Sequence, residues 1–135
     1  MEFIIKNFKW VMLVTGALTA TMFYGSFAPQ MALESMFATS FGGELETLVA
    51  RSWSALIGLI GAVSIYGAFV ERHRVFAAVI AAASKAVFVL LMLIYGQDYL
   101  AAAAPALTMD VAVIVLTLVF LVAIRARGVP TGSAR

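Results

Sequence analysis

Two residue types that build metal and redox centres are almost missing from this chain. Its 135 residues include no cysteine and a single histidine, His73. Without cysteine the chain cannot form disulfides, thiolate nucleophiles, zinc–thiolate sites or a covalent haem link. One histidine does not make a metal site within one chain, so we expect no bound metal.

Charge is also scarce. Charged residues make up 12% of the chain and hydrophobic residues 64%, and the mean hydropathy is +1.04. A soluble domain of this length cannot hide so much apolar surface, because small domains bury only part of their chain. The bilayer must therefore act as solvent, and we expect residues 1–135 to form a single transmembrane domain.

Motifs for catalysis and for nucleic-acid binding are absent as well. The sequence has no HExxH, no glycine-rich phosphate loop and no serine–histidine–aspartate set. Its net charge of +2 comes from basic residues scattered at helix ends, without a DNA- or RNA-binding motif around them. We therefore expect no catalytic residues, no resident cofactor and no nucleic-acid partner.

Four apolar stretches are long enough to cross a bilayer, which takes about 20 residues per helix. They cover about 8–28, 45–69, 75–95 and 106–124. Pro105 is expected in the first turn of the last helix, and the tail from Arg125 is expected to be mobile. Residues 30–40 alternate apolar and polar side chains at helical spacing, which is typical of a short interfacial helix. The sequence thus predicts an all-α integral membrane four-helix bundle with a short interfacial helix between the first two spans.

The beginning of the chain has a second interpretation. A basic start followed by an apolar run resembles a signal peptide, with small residues near Thr19 and Ala20 as the cleavage region. The apolar run is about twenty residues long, which exceeds the usual hydrophobic core of a signal. Its length favours a first span that is retained.

Basic residues fall on one side of the predicted bundle. They lie in the N-terminal lead, the middle loop and the tail, as Lys6, Lys9, Arg72, Arg74, Arg125, Arg127 and Arg135. The other two loops carry Glu34, Glu44, Glu46 and Asp98 without any lysine or arginine. Because cytoplasmic loops are enriched in basic residues, both termini are predicted to be cytoplasmic.

Small residues form lines along two of the spans. These are Ser54, Gly58 and Ala62 in the second span and Ala77, Ala78, Ala81 and Ala82 in the third. Such lines let membrane helices approach closely. We interpret them as packing seams, which would also suit a homo-oligomer or docking against a larger partner.

Lys85 stands near the middle of the third span, about 15 Å from either end at about 1.5 Å per residue. A charge at that depth is costly, so it marks a functional site by default and needs a partner. Arg51 and Asp110 both lie near the outer ends of their spans, and the long side chain of Lys85 can extend towards them. We expect these three residues to converge, with one carboxylate between two cations.

Three neighbours complete the candidate cluster. Trp53 and Ser84 lie close in sequence to Arg51 and Lys85, and Glu44 is placed to supply a further negative charge. One interpretation is a buried ion-pair network that fixes helix packing. A second is a pocket for a lipid, a quinone or a similar amphiphile, and a third is a catalytic or proton-relay site. The sequence leaves these alternatives open.

Several of these features together resemble a known group of proteins. They are Phe41, Gly42, Arg51, Trp53, Gly58 and Gly61, followed by a basic turn and by Lys85 in the third span. Over about residues 40–95 the chain resembles small uncharacterised bacterial inner-membrane proteins of the DoxX-like type. That resemblance implies a four-helix bundle in the bacterial inner membrane, often an accessory to a larger membrane complex, with no assigned chemistry.

The leading functional hypothesis is therefore a non-enzymatic accessory or scaffold subunit of a membrane complex. It would contact membrane lipids, associate with itself or with a larger complex, and hold a lipid or quinone-like amphiphile near the cluster. The alternative is a small membrane enzyme or transporter that acts on a lipid-soluble or anionic substrate through the same residues.

Overall fold

The computed structural model describes residues 1–128, and every regular element in that range is helical. The α-helices are α1 (Glu2–Ala20), α2 (Pro29–Phe37), α3 (Glu44–Phe69), α4 (Arg74–Tyr95) and α5 (Leu100–Gly128). Three 3₁₀ segments extend or join them, at Thr21–Ser26, Glu71–His73 and Gln97–Tyr99. The predicted all-α fold is confirmed.

Four of the helical stretches are long and apolar enough to cross a membrane. With their 3₁₀ segments they run over Glu2–Ser26, Glu44–Phe69, Glu71–Tyr95 and Gln97–Gly128. Large apolar side chains stay exposed on the outer faces of these helices, including Leu56, Leu90, Leu118 and Val122. So much exposed apolar surface suits lipid as the surrounding solvent.

The last helix begins earlier than the sequence analysis suggested. α5 starts at Leu100, so the expected connection at 97–104 is helical, and Pro105 lies inside the helix instead of in its first turn. Pro105 has no N–H to give to the carbonyl of Ala101. The alanines before it are strong helix formers, which explains why the helix nevertheless extends through this turn.

The C-terminal region also differs from expectation. Arg125 to Gly128 continue α5, although a mobile tail was expected from Arg125 onwards. Residues 129–135, with Arg135, lie outside the described residues.

α1 and α3 pack with their backbones almost in contact. The inward face of α3 consists of small residues, namely Ala50, Ser54, Gly58, Gly61, Ser64, Gly67 and Ala68. A Cβ atom added to Gly61 would lie 2.3 Å from the backbone nitrogen of Ala20 and 2.6 Å from the carbonyl oxygen of Gly16. The predicted seam thus packs inside the chain, although Ala62 faces outwards and Gly61 takes its place.

The alanine face of α4 is likewise used inside the bundle. Ala77 and Ala78 are buried in a core that also contains Phe8 and Phe120. The rings of Phe8 and Phe120 stack with their centroids 3.9 Å apart and their planes at 8°. Since both small-residue seams meet neighbouring helices of the same chain, neither argues for a homo-oligomer.

The short helix expected within 30–40 is present as α2. Its anchor is Ala32, which is fully buried, whereas Met31 on the predicted apolar face is 64% exposed. Ala32 packs closely against Gly25, since a Cβ atom added to Gly25 would lie 2.8 Å from the Cβ of Ala32. We call the end of the bundle that carries α2 the α2 end. The opposite end, with the first residues of α1 and the α3–α4 turn, is the terminal end.

Candidate functional site

Lys85 and Asp110 form a buried ion pair between α4 and α5. Lys85 Nζ donates to Asp110 Oδ1 at 2.5 Å. The two residues are 8% and 6% exposed. Within residues 1–128, this is the one hydrogen bond that either side chain forms. The structure therefore brings Lys85 and Asp110, two of the three residues expected to converge, together as an ion pair.

The helical periodicity of the sequence places both charges on inward faces. Lys85 follows Ala81 by one turn on the buried face of α4. Asp110 shares the buried face of α5 with Val113 and Thr117. Because residues three and four apart lie on one face of a helix, both charges belong to the packed faces of α4 and α5.

A small cavity of about 80 Å³ touches this pair, and we call it the ion-pair cavity. It is lined by Thr19, Met36, Trp53, Ile57, Ile60, Ser84, Lys85, Phe88, Ala106, Met109 and Asp110. A lysine ammonium has three N–H donors, and Lys85 gives one of them to Asp110. Among residues 1–128 the remaining donors have no protein acceptor, so a polar group in the cavity is a chemically suitable partner for them.

A larger and mainly apolar space adjoins the first one. It is a groove of about 680 Å³ between α2 with its following loop, α3 and α4, and it is open on its outer side, where Leu45 and Tyr95 are exposed. Its aromatic lining residues are Phe37, Phe41, Trp53, Phe88, Tyr95 and Tyr99, so we call it the aromatic chamber. The ring centroid of Phe37 lies 6.1 Å from that of Trp53 and 5.9 Å from that of Tyr99. Phe37 therefore packs against both Trp53 and Tyr99 at the α2 end.

Trp53 and Phe88 belong to the walls of both spaces. The aromatic chamber and the ion-pair cavity are therefore next to each other, and these two side chains stand where they meet. Trp53 and Ser84, predicted from sequence, do line the cavity with Lys85 and Asp110. Phe88 was missed, although its position three residues after Lys85 on one helix face was a usable signal.

Thr19 is a polar residue of the ion-pair cavity that was not among the predicted site residues. It is buried on α1 and donates to the carbonyl of Thr15 at 2.7 Å. Hydroxyls that bond back to their own helix are common in membrane spans, so nothing in the sequence separated Thr19 from Thr15.

Arg51 does not join the cluster, contrary to expectation. Its side chain is exposed, and Nη1 donates to the carbonyl of Ser26 at 2.6 Å. Ser26 Oγ in turn donates to the carbonyl of Arg51 at 3.2 Å. The carbonyls at the end of a helix lack partners in the helix, and Arg51 satisfies one at the end of the segment Thr21–Ser26.

Glu44 is also outside the cluster. It is exposed in the first turn of α3 and forms no ion pair within residues 1–128. A carboxylate at this position is favoured by the positive end of the helix dipole. With Arg51 and Glu44 removed, the predicted cluster of six reduces to Lys85, Asp110, Trp53 and Ser84.

No family model, no curated protein and no solved structure matches this chain. The resemblance to DoxX-like proteins therefore stays a prediction.

Proposed function

We propose that this chain is a non-enzymatic protein of the bacterial inner membrane that holds a ring-bearing amphiphile beside Lys85. The observation that carries the proposal is the adjacency of two spaces, one apolar and one polar, at Trp53 and Phe88. The apolar body of the amphiphile would occupy the aromatic chamber, and its polar head would reach the ion-pair cavity.

The dimensions and lining of the aromatic chamber support a small-molecule guest. Binding pockets for small molecules typically measure 300–1,000 Å³ and are mostly apolar, with a few polar groups that fix orientation. The chamber falls within this range at about 680 Å³. Aromatic side chains interact with other rings through stacked and edge-to-face contacts. This favours a quinone or an aromatic lipid over a saturated acyl chain.

Lys85 determines which head group fits. Its ammonium offers donors and no acceptor, so the head group must supply an acceptor such as a carbonyl or phenolic oxygen. The absence of Arg51 leaves one cation facing one carboxylate, without the spare positive charge that the predicted cluster had. A neutral head group therefore matches the pair better than a charged phosphate does.

The proposal is tested by native mass spectrometry of the full chain, purified from its membrane in a mild detergent. Leu91 and its neighbour Leu90 are 49% and 57% exposed, but Leu91 lines the aromatic chamber and Leu90 does not. Leu91→Trp places an indole in the chamber and is expected to lower occupancy by a retained organic molecule about tenfold or more. Leu90→Trp is the matched control and should leave that occupancy unchanged.

A second pair of variants tests the polar head. Lys85→Met/Asp110→Leu removes both charges together and should weaken retention of the same molecule without emptying the chamber. Wild-type protein that carries no small molecule would contradict the proposal. Equal occupancy in Leu91→Trp and Leu90→Trp would show that the retained mass lies elsewhere.

A small membrane enzyme or transporter is the second candidate. The observation in its favour is that two hydroxyl residues, Thr19 and Ser84, line the same cavity as Lys85 and Asp110. Incubation of the loaded protein and identification of the released molecule distinguish this candidate. A chemically altered product, or flux through proteoliposomes that stops in Lys85→Met/Asp110→Leu, would favour it.

We also infer an orientation and a cellular role. The concentration of basic residues at the terminal end supports cytoplasmic termini, with α2 lying at the interface on the outer side of the inner membrane. A chamber of ligand size, in a sequence without a catalytic motif, supports an accessory subunit that presents its guest to a larger membrane complex or to a second copy.

A further inference from the structure

A second site lies at the terminal end, away from the aromatic chamber. A space of about 490 Å³ opens there between the beginning of α1, the beginning of α4 and the end of α5. Its charged lining residues are Glu2, Lys6, Lys9, Glu71, Arg74 and Arg127, and we call it the basic basin. Phe3 and Ile5 contribute an apolar part to its wall.

Both carboxylates of the basin already have cationic partners. Glu2 Oε1 accepts from Arg127 Nη2 at 2.5 Å, and Glu71 Oε1 lies 3.7 Å from Arg74 Nη1. Lys6 forms no ion pair within residues 1–128, and neither does Lys9. The basin therefore carries two positive charges that the described protein does not neutralise.

Arg74 is held in place by the end of α3. Its Nε and Nη2 donate to the carbonyls of Gly67 and Ala68 at 3.3 and 3.1 Å. These bonds satisfy carbonyls at a helix terminus and fix the guanidinium at the edge of the basin. The same space is thus lined by a positioned arginine and by two exposed lysines one turn apart on α1.

We propose that the basic basin binds the phosphate of an anionic phospholipid. This site and ligand are distinct from the chamber and from the neutral guest proposed above. Basic pockets between membrane helices suit the head groups of anionic lipids. The apolar wall at Phe3 and Ile5 gives the acyl chains a path away from the charges. Trp10 adjoins Lys9, is 55% exposed, and belongs to the residue type enriched at the membrane interface.

The test compares two double variants that lose the same charge. Lys6→Gln/Lys9→Gln removes the unneutralised cations of the basin. Arg72→Gln/Arg125→Gln removes two exposed cations at the same end that do not line it. Each purified full-length chain is titrated with phosphatidylglycerol in detergent, and lipid occupancy is read by native mass spectrometry. Titrations with phosphatidylcholine and with inorganic phosphate as competitor complete the set.

The lysine double variant is expected to lose roughly tenfold to thirtyfold in affinity for phosphatidylglycerol, and the arginine double variant less than about threefold. Lys6→Arg/Lys9→Arg should retain binding, and all variants should keep wild-type helicity. Equal losses in the lysine and arginine double variants would overturn the proposal in favour of diffuse surface charge. Equal binding of phosphatidylcholine, or displacement of the lipid by inorganic phosphate, would also overturn it.

The outcome is independent of the function proposed for the chamber. Leu91→Trp alters the other end of the molecule and should leave phosphatidylglycerol binding unchanged. Loss of the ring-bearing guest with intact lipid binding, or the reverse, therefore identifies which of the two proposals fails.

Discussion

At the scale of single residues, the choice of partner determines what each cation in the spans does. Lys85 faces one carboxylate beside an internal cavity, whereas Arg51 donates a hydrogen bond to a backbone carbonyl near the surface of the bundle. A buried pair is tolerated when both charges are present and becomes costly when one is removed, because the other is left uncompensated. The ion pair between Lys85 and Asp110, which has no net charge, thus preserves both the packing of α4 on α5 and the polarity of the cavity.

Removal of one charge should therefore cost more than removal of both. Lys85→Met leaves Asp110 unpaired and is expected to destabilise the protein by about 3 kcal/mol or more. In Lys85→Met/Asp110→Leu most of that loss should be recovered, since no buried charge remains. The measurement is thermal unfolding in mild detergent, monitored by circular dichroism. A double variant no more stable than Lys85→Met would mean that shape, not charge pairing, determines stability here.

At the scale of helices, close approach of α1 and α3 is what brings Thr19 to the ion-pair cavity. Apolar burial drives helices together weakly in lipid, so contact between small residues and between backbones contributes more. Gly16, Ala20 and Gly61 meet at this crossing. A larger residue at Gly61 would meet backbone atoms, which cannot move aside as a flexible side chain can.

The crossing provides a matched test on adjacent residues. Gly61→Val is expected to lower stability by about 2 kcal/mol or more, because the new side chain overpacks the contact with α1. Ala62→Val introduces the same side chain on the exposed face and should stay within about 0.5 kcal/mol of wild type. The measurement compares the unfolding midpoints of both variants with that of wild type in the same detergent. Similar losses at the two positions would argue against a backbone contact between α1 and α3.

At the scale of the whole molecule, the fold follows from hydropathy because a bilayer admits few structures. Backbone polar groups must be satisfied within each segment, so a long apolar stretch of this kind is helical. Lys85 and Asp110 were predictable from sequence as well, since charges inside spans are rare. The bond from Arg51 to Ser26 was not predictable, because it depends on the 3₁₀ segment after α1 and on how α3 is rotated. The aromatic chamber was not predictable either, since it exists only once the loop after α2 lies beside α3 and α4.

The orientation of the whole molecule is open to direct test, because the chain has no native cysteine. Gln30→Cys places a thiol on exposed α2, and Arg72→Cys places one on the exposed α3–α4 turn. If basic residues set the topology, a membrane-impermeant maleimide should label Gln30→Cys in intact cells and Arg72→Cys only after permeabilisation. The reverse pattern would put the basic basin on the outer side, and labelling of both in intact cells would rule out a span between them. The first pattern would place the basin in the cytoplasmic leaflet, where it meets anionic head groups from that side, while the aromatic chamber is reached from the outer half of the bilayer.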